Sequence, residues 1–135
     1  MLNKILEENK EAILIELDNL KRYKSLIVVE GEHDKQALNE LGLERVFILN
    51  KTGVSLFNRI DDMIGQLRPK EHCVILTDMD KKGKTYYKMI KKELQNQGKK
   101  SNSRIREILI KSGVSHIESL AKYLEDKTPP EERRI

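Results

Sequence analysis

Three short, almost wholly apolar blocks constrain the fold of this chain more than any other feature of its sequence. They span residues 25–30, 45–49 and 72–77 and contain LIVV, VFIL and VILT, respectively. Blocks of this length and composition are typical of strands buried on both faces, as in parallel sheets. Because helical segments separate them, the chain predicts an α/β fold with a parallel sheet, right-handed crossovers and helices on both faces.

The segments between and around these blocks carry the periodicity of amphipathic helices. We predict helices over residues 2–22, 35–41, 56–67 and 84–97. Pro69 and Gly98 follow the last two and supply their stop signals. The first helix has an apolar stripe, and we expect it to pack on the sheet, with binding of a partner protein as the alternative.

The C-terminal part of the chain is less regular. Residues 98–103 (GKKSNS) are polar and predict a loop, and residues 105–109 predict a helix, with a short strand at EILI as the alternative. A final helix around 117–124 ends before TPP, and the pattern places no fourth strand. The predicted division is an N-terminal helix (1–24), a core (25–97), a mainly helical extension (98–128) and a tail (129–135).

The charge balance narrows the range of partners. The chain carries 26 Lys and Arg against 22 Asp and Glu, which gives a net charge of +4 and a pI of about 9.1. This excess permits a nucleic-acid partner without requiring one. The single cysteine, Cys73, lies inside an apolar block, so we expect a buried thiol and a reducing, cytoplasmic setting. No apolar stretch is long enough to predict a membrane span.

Acidic residues end two of the predicted strands. Glu30 closes the first block, while Asp78 and Asp80 follow the third. Because the carboxyl ends of neighbouring parallel strands meet at one edge, we expect three carboxylates in one crevice. Like charges this close repel unless a cation lies between them, and oxygen ligands favour Mg²⁺. The alternatives are an Asx-turn at Asp80 ahead of Gly83 and, for Asp34, the N-cap of the helix that follows it.

The helix after the acidic turn is basic on one side. Lysines lie opposite an apolar face of this helix at Lys84, Lys88, Lys91 and Lys92, and two more stand beside the aspartates at Lys81 and Lys82. Such a strip suits contacts with nucleic-acid phosphates. A solvated lysine face is the alternative.

Motifs for other chemistries are absent. His33, His72 and His116 lack metal-ligand spacing, so we expect surface or hydrogen-bonded histidines at these positions. No Ser-His-Asp or Cys-His order is evident. No glycine-rich phosphate loop is present either, which disfavours P-loop NTPases and dinucleotide enzymes.

Two stretches together resemble the signature motifs of the Toprim domain. They are VVEGEHD at 28–34 and LTDMDKKG at 76–83, each at the end of a predicted strand. Toprim domains occur in primases, type IA and type II topoisomerases, nucleases and repair proteins. The resemblance covers about residues 25–97 and implies a Rossmann-like parallel sheet of about four strands.

The resemblance also implies roles for individual residues. Glu30 would act as the general acid or base, and Asp78 and Asp80 would bind Mg²⁺, with Mn²⁺ as the alternative ion. Asp34 would support Glu30 or a second metal. Further residues implied at the site are turn glycines and phosphate-contacting residues: Gly31, Gly83, Lys51, Thr52, Gly53, Lys81, Lys82, Lys84 and Lys88.

The position of Lys82 separates this chain from topoisomerases, which commonly carry a third acid there. The Thr-Gly turn and GVSHIESL (113–120) are instead similar to the ribonuclease that matures 5S ribosomal RNA and, for the turn, to primases. We therefore expect a Mg²⁺-dependent endonuclease acting on RNA or DNA. The alternatives are a non-catalytic module that binds nucleic acid or recruits protein through its terminal helices, and a haloacid-dehalogenase-type phosphatase, whose motif fits Lys82 poorly.

Overall fold

A four-stranded parallel sheet forms the centre of the molecule in the computed structural model, which describes residues 2–125. The strands are β1 (Ile27–Val29), β2 (Val46–Ile48), β3 (His72–Ile75) and β4 (Lys100–Ser101), in the order β2-β1-β3-β4. This arrangement confirms the predicted α/β fold with its parallel sheet. Within residues 2–125, no helix combines the length and apolar character needed to cross a bilayer.

Six α-helices surround the sheet within the described residues. They are α1 (Leu2–Tyr23), α2 (Glu32–Glu40), α3 (Leu56–Gly65), α4 (Lys81–Asn96), α5 (Arg104–Lys111) and α6 (Leu120–Glu125), with a 3₁₀ turn at Ile117–Ser119 before the last. The EILI stretch is therefore helical, and the alternative of a strand there is wrong. The predicted helix end at TPP and the tail at 129–135 lie outside the described residues.

The alternation of side chains along the strands divides the core into two layers. Ile27, Val29 and Val74 point to the layer that contains α1, α2 and α5. Val28 and Ile75 point to the opposite layer, formed with α3 and α4. Both faces of β1 and of most of β3 are thus buried, as the apolar blocks predict.

Cys73 belongs to the core, as predicted. Burial raises the pKa of its thiol to about 12, so the thiolate that would react with oxidants or metals is suppressed.

The first helix packs its C-terminal half into the core. Ile13, Leu17 and Leu20 are buried in the same cluster as Leu109 of α5. Ile5, by contrast, is 48% exposed. The second half of the predicted apolar stripe is therefore part of the core, whereas Ile5 in the first half faces solvent.

The fourth strand corrects the loop predicted for residues 98–103. β4 has only two residues, which pair with β3 through His72↔Lys100 and Cys73↔Ser101. The N–H of Asn102 extends this pairing by donating to the carbonyl of Cys73 at 2.8 Å. A two-residue strand of lysine and serine at the sheet edge carries no apolar pattern. The prediction of a loop over this segment is therefore wrong at residues 100–101.

Two helices begin earlier than predicted. α2 starts at Glu32 instead of residue 35, and α4 starts at Lys81 instead of residue 84. Asp34 is consequently not the N-cap of α2: Gly31 holds that position, and Asp34 accepts a hydrogen bond from its N–H at 3.2 Å. Both helices therefore start within the acidic motifs.

Candidate metal centre at the carboxyl edge of the sheet

The pairing of β1 with β3 brings the two acidic motifs together. Ile27 lies opposite Val74 in the register, so the residues that follow both strands emerge side by side. The N–H of Asp78 donates to the Glu30 carboxylate at 2.8 Å, and Glu30 is only 8% exposed. The predicted meeting of these motifs at one edge is thus present in the structure.

The D-x-D turn is held by backbone hydrogen bonds to one oxygen of each aspartate. Oδ1 of Asp78 accepts from the N–H of Ile117 at 3.0 Å. Oδ1 of Asp80, the N-cap of α4, accepts from the N–H of Gly83 at 2.7 Å. The alternative predicted for Asp80 was an Asx-turn ahead of Gly83; in the structure Asp80 caps α4 through Oδ1, while its Oδ2 atom lies 3.9 Å from Nε2 of His116.

His116 joins these aspartates. One ligand atom from each of Asp78, Asp80 and His116 lies within 4.8 Å of the others, and Nε2 of His116 is 3.9 Å from Oδ2 of Asp80. Glu30 and Asp34 adjoin this group but are not members of it. Histidine spacing alone did not reveal His116, and the only sequence signal was the resemblance carried by GVSHIESL.

Gly83 is required by the close approach of α4 to the acidic turn. A Cβ atom on Gly83 would overlap the carbonyl oxygen of Asp78. The hydroxyl of Thr77, which is fully buried, donates to the carbonyl of Gly83 at 2.7 Å and secures the same junction. Gly31 differs, because its φ of −145° suits any residue and a Cβ there would meet open space.

Burial and mutual repulsion raise the pKa values of the two acids of the first motif. The pKa of Glu30 is raised mainly by burial and then by the charges of Asp78 and Asp80, against the hydrogen bond from the Asp78 N–H. Burial, with the charge of Asp78 next, raises the pKa of Asp34 to about 6. Both shifts show that negative charge is costly here.

A buried cation, Arg106, lies beneath the site. It is not among the residues predicted from the sequence. It is 4% exposed and donates to the carbonyl oxygens of Thr77 at 2.6 Å and Asp78 at 3.3 Å. Its guanidinium also lies 4.4 Å from the centre of the Tyr87 ring. Arg106 fixes the end of β3 through carbonyl contacts, and the only signal for it was an arginine between the apolar positions of α5.

The loop after β2 lies beside Glu30. The N–H of Asn50 donates to the carbonyl of Glu30 at 3.1 Å, which places the predicted phosphate-contacting residues next to the acidic crevice. Lys51, Thr52 and Gly53 are exposed, and Lys51 and Thr52 line a shallow depression of about 300 Å³.

The predicted basic strip is exposed along α4. Ile90 and Leu94 of this helix are buried, whereas the lysines opposite them face solvent. Lys81 and Lys82 occupy the first turn of the helix, directly after Asp80. The strip therefore starts at the acidic turn and runs away from it along the helix.

The donor set fits a divalent cation. Carboxylate oxygens and an imidazole nitrogen are common metal ligands, and their spacing allows one ion to reach all three residues. Among residues 2–125, neither Lys nor Arg forms an ion pair with Glu30, Asp78 or Asp80. The chain therefore compensates the negative charge of this edge only in part, through the nearby charges of Lys82 and Arg106.

The segment that contains the four strands and both acidic motifs matches a known family. The Toprim-like family matches residues 27–113, so this chain belongs to the Toprim-like family. That membership supports a metal-dependent function connected with nucleic acids.

Curated archaeal proteins of the UPF0292 group are similar to this chain. A UPF0292 protein of Methanocaldococcus jannaschii is 41% identical over 102 residues, covering 73% of this chain and 77% of the relative. A second, from Methanosarcina barkeri, is 32% identical over 120 residues, covering 87% and 81%.

One solved structure shows the same fold. It is a protein from Aquifex aeolicus with a TM-score of 0.62 and 26% identity, covering 89% of this chain and 98% of the other. The fold thus matches an experimental structure over nearly its full length.

Proposed function

We propose that this protein is a Mg²⁺-dependent endonuclease, similar to the ribonuclease-like Toprim branch, that cleaves phosphodiester bonds in RNA or DNA. One observation carries the proposal. Glu30 and the D-x-D aspartates meet at one sheet edge, where Lys and Arg within residues 2–125 leave their carboxylates without an ion-pair partner. Carboxylates gathered at the carboxyl ends of parallel strands suit a metal ion that assists phosphoryl chemistry.

Each acidic residue has a distinct role in this proposal. Asp78 and Asp80 would hold the cation, and the hydrogen bonds to their Oδ1 atoms orient the two side chains. The ion, when bound, stabilises negative charge on the phosphate. Glu30 moves the proton of the attacking or leaving oxygen, since the Asp78 N–H fixes its carboxylate at the mouth of the site. Asp34 supports Glu30 from the first turn of α2.

The basic strip on α4 positions the substrate backbone. Lys81 and Lys82 stand at the N-terminus of a helix, where the macrodipole disfavours positive charge. Their placement beside the acidic turn is understandable if phosphate oxygens approach there. Lys84 and Lys88 extend these contacts along the helix, and the Lys51–Thr52–Gly53 loop provides a second phosphate contact on the other side of Glu30.

A cleavage assay tests the proposal. We would compare wild type with Glu30→Gln and Asp78→Asn on labelled structured RNA and on plasmid DNA, each with Mg²⁺ and with Mn²⁺. Asp62→Asn, an exposed acid on α3, is the matched control. We expect both site variants to lose about 10²-fold or more of the cleavage rate and the control to retain it. Cleavage that both variants retain in full would refute this mechanism.

A non-catalytic recruiting module is the second candidate. It is favoured by exposed apolar side chains on two helices of the same layer, Leu14 and Ile15 on α1 and Ile110 on α5, each more than half exposed. Binding of nucleic acid or a partner protein by wild type, without turnover on any RNA or DNA and with either cation, would support this candidate.

A further inference from the structure

We infer that His116 is a ligand of the cation and raises the affinity of this centre for first-row transition cations relative to that for Mg²⁺. The inference rests on the proposed metal centre and deepens it by naming the class of ion. Because the motifs implied only carboxylate ligands, an imidazole at this position changes the chemistry expected of the site.

The distances suit coordination of one shared ion. Nε2 of His116 and Oδ2 of Asp80 are 3.9 Å apart, which is too long for a hydrogen bond. An ion with bonds of about 2.0–2.2 Å to each atom can span this separation. The Oδ1 atoms of Asp78 and Asp80 are engaged by backbone N–H groups, so each aspartate can offer its other oxygen.

The backbone holds His116 against the D-x-D turn from both sides. The N–H of Met79 donates to the carbonyl of Ser115 at 2.8 Å. On the other side, the N–H of Ile117 donates to Asp78. The histidine is thus placed by two backbone contacts with the same turn that carries the aspartates.

The imidazole ring is also oriented. The Ser115 hydroxyl lies 3.0 Å from Nδ1 of His116, on the side of the ring away from Nε2. Metal-binding histidines commonly have a polar partner at the second nitrogen, which fixes the tautomer and the ring direction. The side chains of His116 and Asp80 are about half exposed, at 51% and 48%, so an ion can enter from solvent.

The chemical type of the three ligands determines which cations the centre binds most tightly. Mg²⁺ is a hard ion that favours oxygen ligands and keeps its water, whereas imidazole suits transition metals. Mn²⁺ also suits oxygen ligands but accepts imidazole more readily than Mg²⁺ does, so replacing His116 should weaken binding of Mn²⁺ more than binding of Mg²⁺.

Mn²⁺ is the probe for the test, because its electron spin detects a bound nitrogen. We would load the full chain with Mn²⁺ and record pulsed electron paramagnetic resonance for wild type, His116→Ala and His33→Ala. His33, an exposed histidine in α2 close to Glu118, is the matched control. Dissociation constants for Mn²⁺ and, by competition, for Mg²⁺ complete the experiment, and circular dichroism verifies folding.

We expect directly bound ¹⁴N in wild type and His33→Ala but not in His116→Ala. The Mn²⁺ dissociation constant should rise about tenfold or more in His116→Ala, while that of Mg²⁺ changes less than about threefold. Mn²⁺ bound without nitrogen coupling, or equal affinities in His116→Ala and wild type, would overturn the role of His116 and leave the aspartate centre standing. Failure of wild type to bind either ion, or binding unaffected by Asp78→Asn, would overturn the proposed centre itself.

Discussion

The sheet buries carboxylates both where its strands begin, at the amino edge, and where they end, at the carboxyl edge. The surroundings shift the pKa values of these carboxylates in opposite directions. At the amino edge, Glu71 accepts hydrogen bonds from Arg45, from Arg68 and from the Leu26 N–H at 2.9 Å. Burial alone would raise the pKa of Glu71, but these hydrogen bonds outweigh it and lower the pKa to about 2. At the carboxyl edge, the pKa values of Glu30 and Asp34 are raised.

The difference separates a structural ion-pair network from the site that we propose to be functional. The arginines that bind Glu71 also donate to main-chain carbonyls, Arg45 to Gln66 and Arg68 to Tyr23, so one buried anion connects three turns at the amino edge. At the carboxyl edge, the buried Arg106 also donates to main-chain carbonyls, but among residues 2–125 it donates to no carboxylate. Repulsion among the acids at this edge lowers the stability of the metal-free protein, and that cost is expected where a ligand completes the site.

We expect the largest effect from a substitution of Gly83, which lies at the carboxyl edge. Gly83→Ala should lower the free energy of unfolding by about 3 kcal/mol or more, since the new methyl group would overlap the Asp78 carbonyl and force α4 from the acidic turn. Urea denaturation measures this change. Gly65→Ala is the control, because Gly65 ends α3 in open space, and it should stabilise the protein by about 0.5–1 kcal/mol. Equal effects of the two substitutions would contradict the steric explanation.

The next effect tests the amino edge through Glu71→Gln. We expect a loss of about 2–3 kcal/mol at pH 7, because the substitution leaves Arg45 and Arg68 without their shared anion. The folded-state pKa of Glu71 lies below its ordinary value of 4.5, so its stabilisation is present above pH 4.5 and is lost as the pH falls toward 2.

Urea denaturation of wild type and Glu71→Gln between pH 7 and pH 3 measures this dependence. The difference in unfolding free energy between the two proteins should shrink as the pH falls. Glu44→Ala, an exposed acid near the same edge, should change stability by less than about 0.5 kcal/mol. A difference between wild type and Glu71→Gln that is constant with pH would show that the charge of Glu71 is not its source.

Asp34→Asn should have a smaller effect of opposite sign. The folded-state pKa of Asp34, about 6, lies above its ordinary value of 3.8. The folded protein therefore loses stability as the pH rises from 3.8 through 6, because the Asp34 carboxylate ionises less readily in the folded state than in the unfolded state. In the presence of a chelator, Asp34→Asn should therefore be more stable than wild type by about 1–2 kcal/mol at pH 8.

Thermal or urea unfolding at pH 8 and at pH 4 tests this expectation. The gain should largely disappear at pH 4, where the folded wild type carries the proton. Asp62→Asn should show no such pH-dependent gain, because this acid is exposed on α3. If Asp34→Asn were less stable than wild type at pH 8, the Gly31 hydrogen bond would outweigh the repulsion.

Local patterns in the sequence predict three of the four strands and the acidic residues that follow two of them. β1, β2 and β3 come from apolar blocks, and Glu30, Asp78 and Asp80 directly follow two of them, so the strand ends alone bring these acids together. The sequence cannot reveal residues whose position depends on the return of the chain after β4. Arg106 and His116 reach the site in this way, one through burial in α5 and the other through contacts of the following segment with the D-x-D turn.

The smallest expected effect concerns the basic strip, and it compares the two faces of the sheet. The double variant Lys84→Ala, Lys88→Ala should reduce the slope of log K against log[salt] for nucleic-acid binding by about two. The reason is that each lysine neutralises about one phosphate. The control removes the same charge from the opposite layer with Lys4→Ala and Lys111→Ala on α1 and α5, and should leave the slope unchanged. Fluorescence anisotropy from about 50 to 200 mM salt measures both slopes. Equal losses for the two pairs would mean that net charge, and not the strip beside the acidic turn, attracts the nucleic acid.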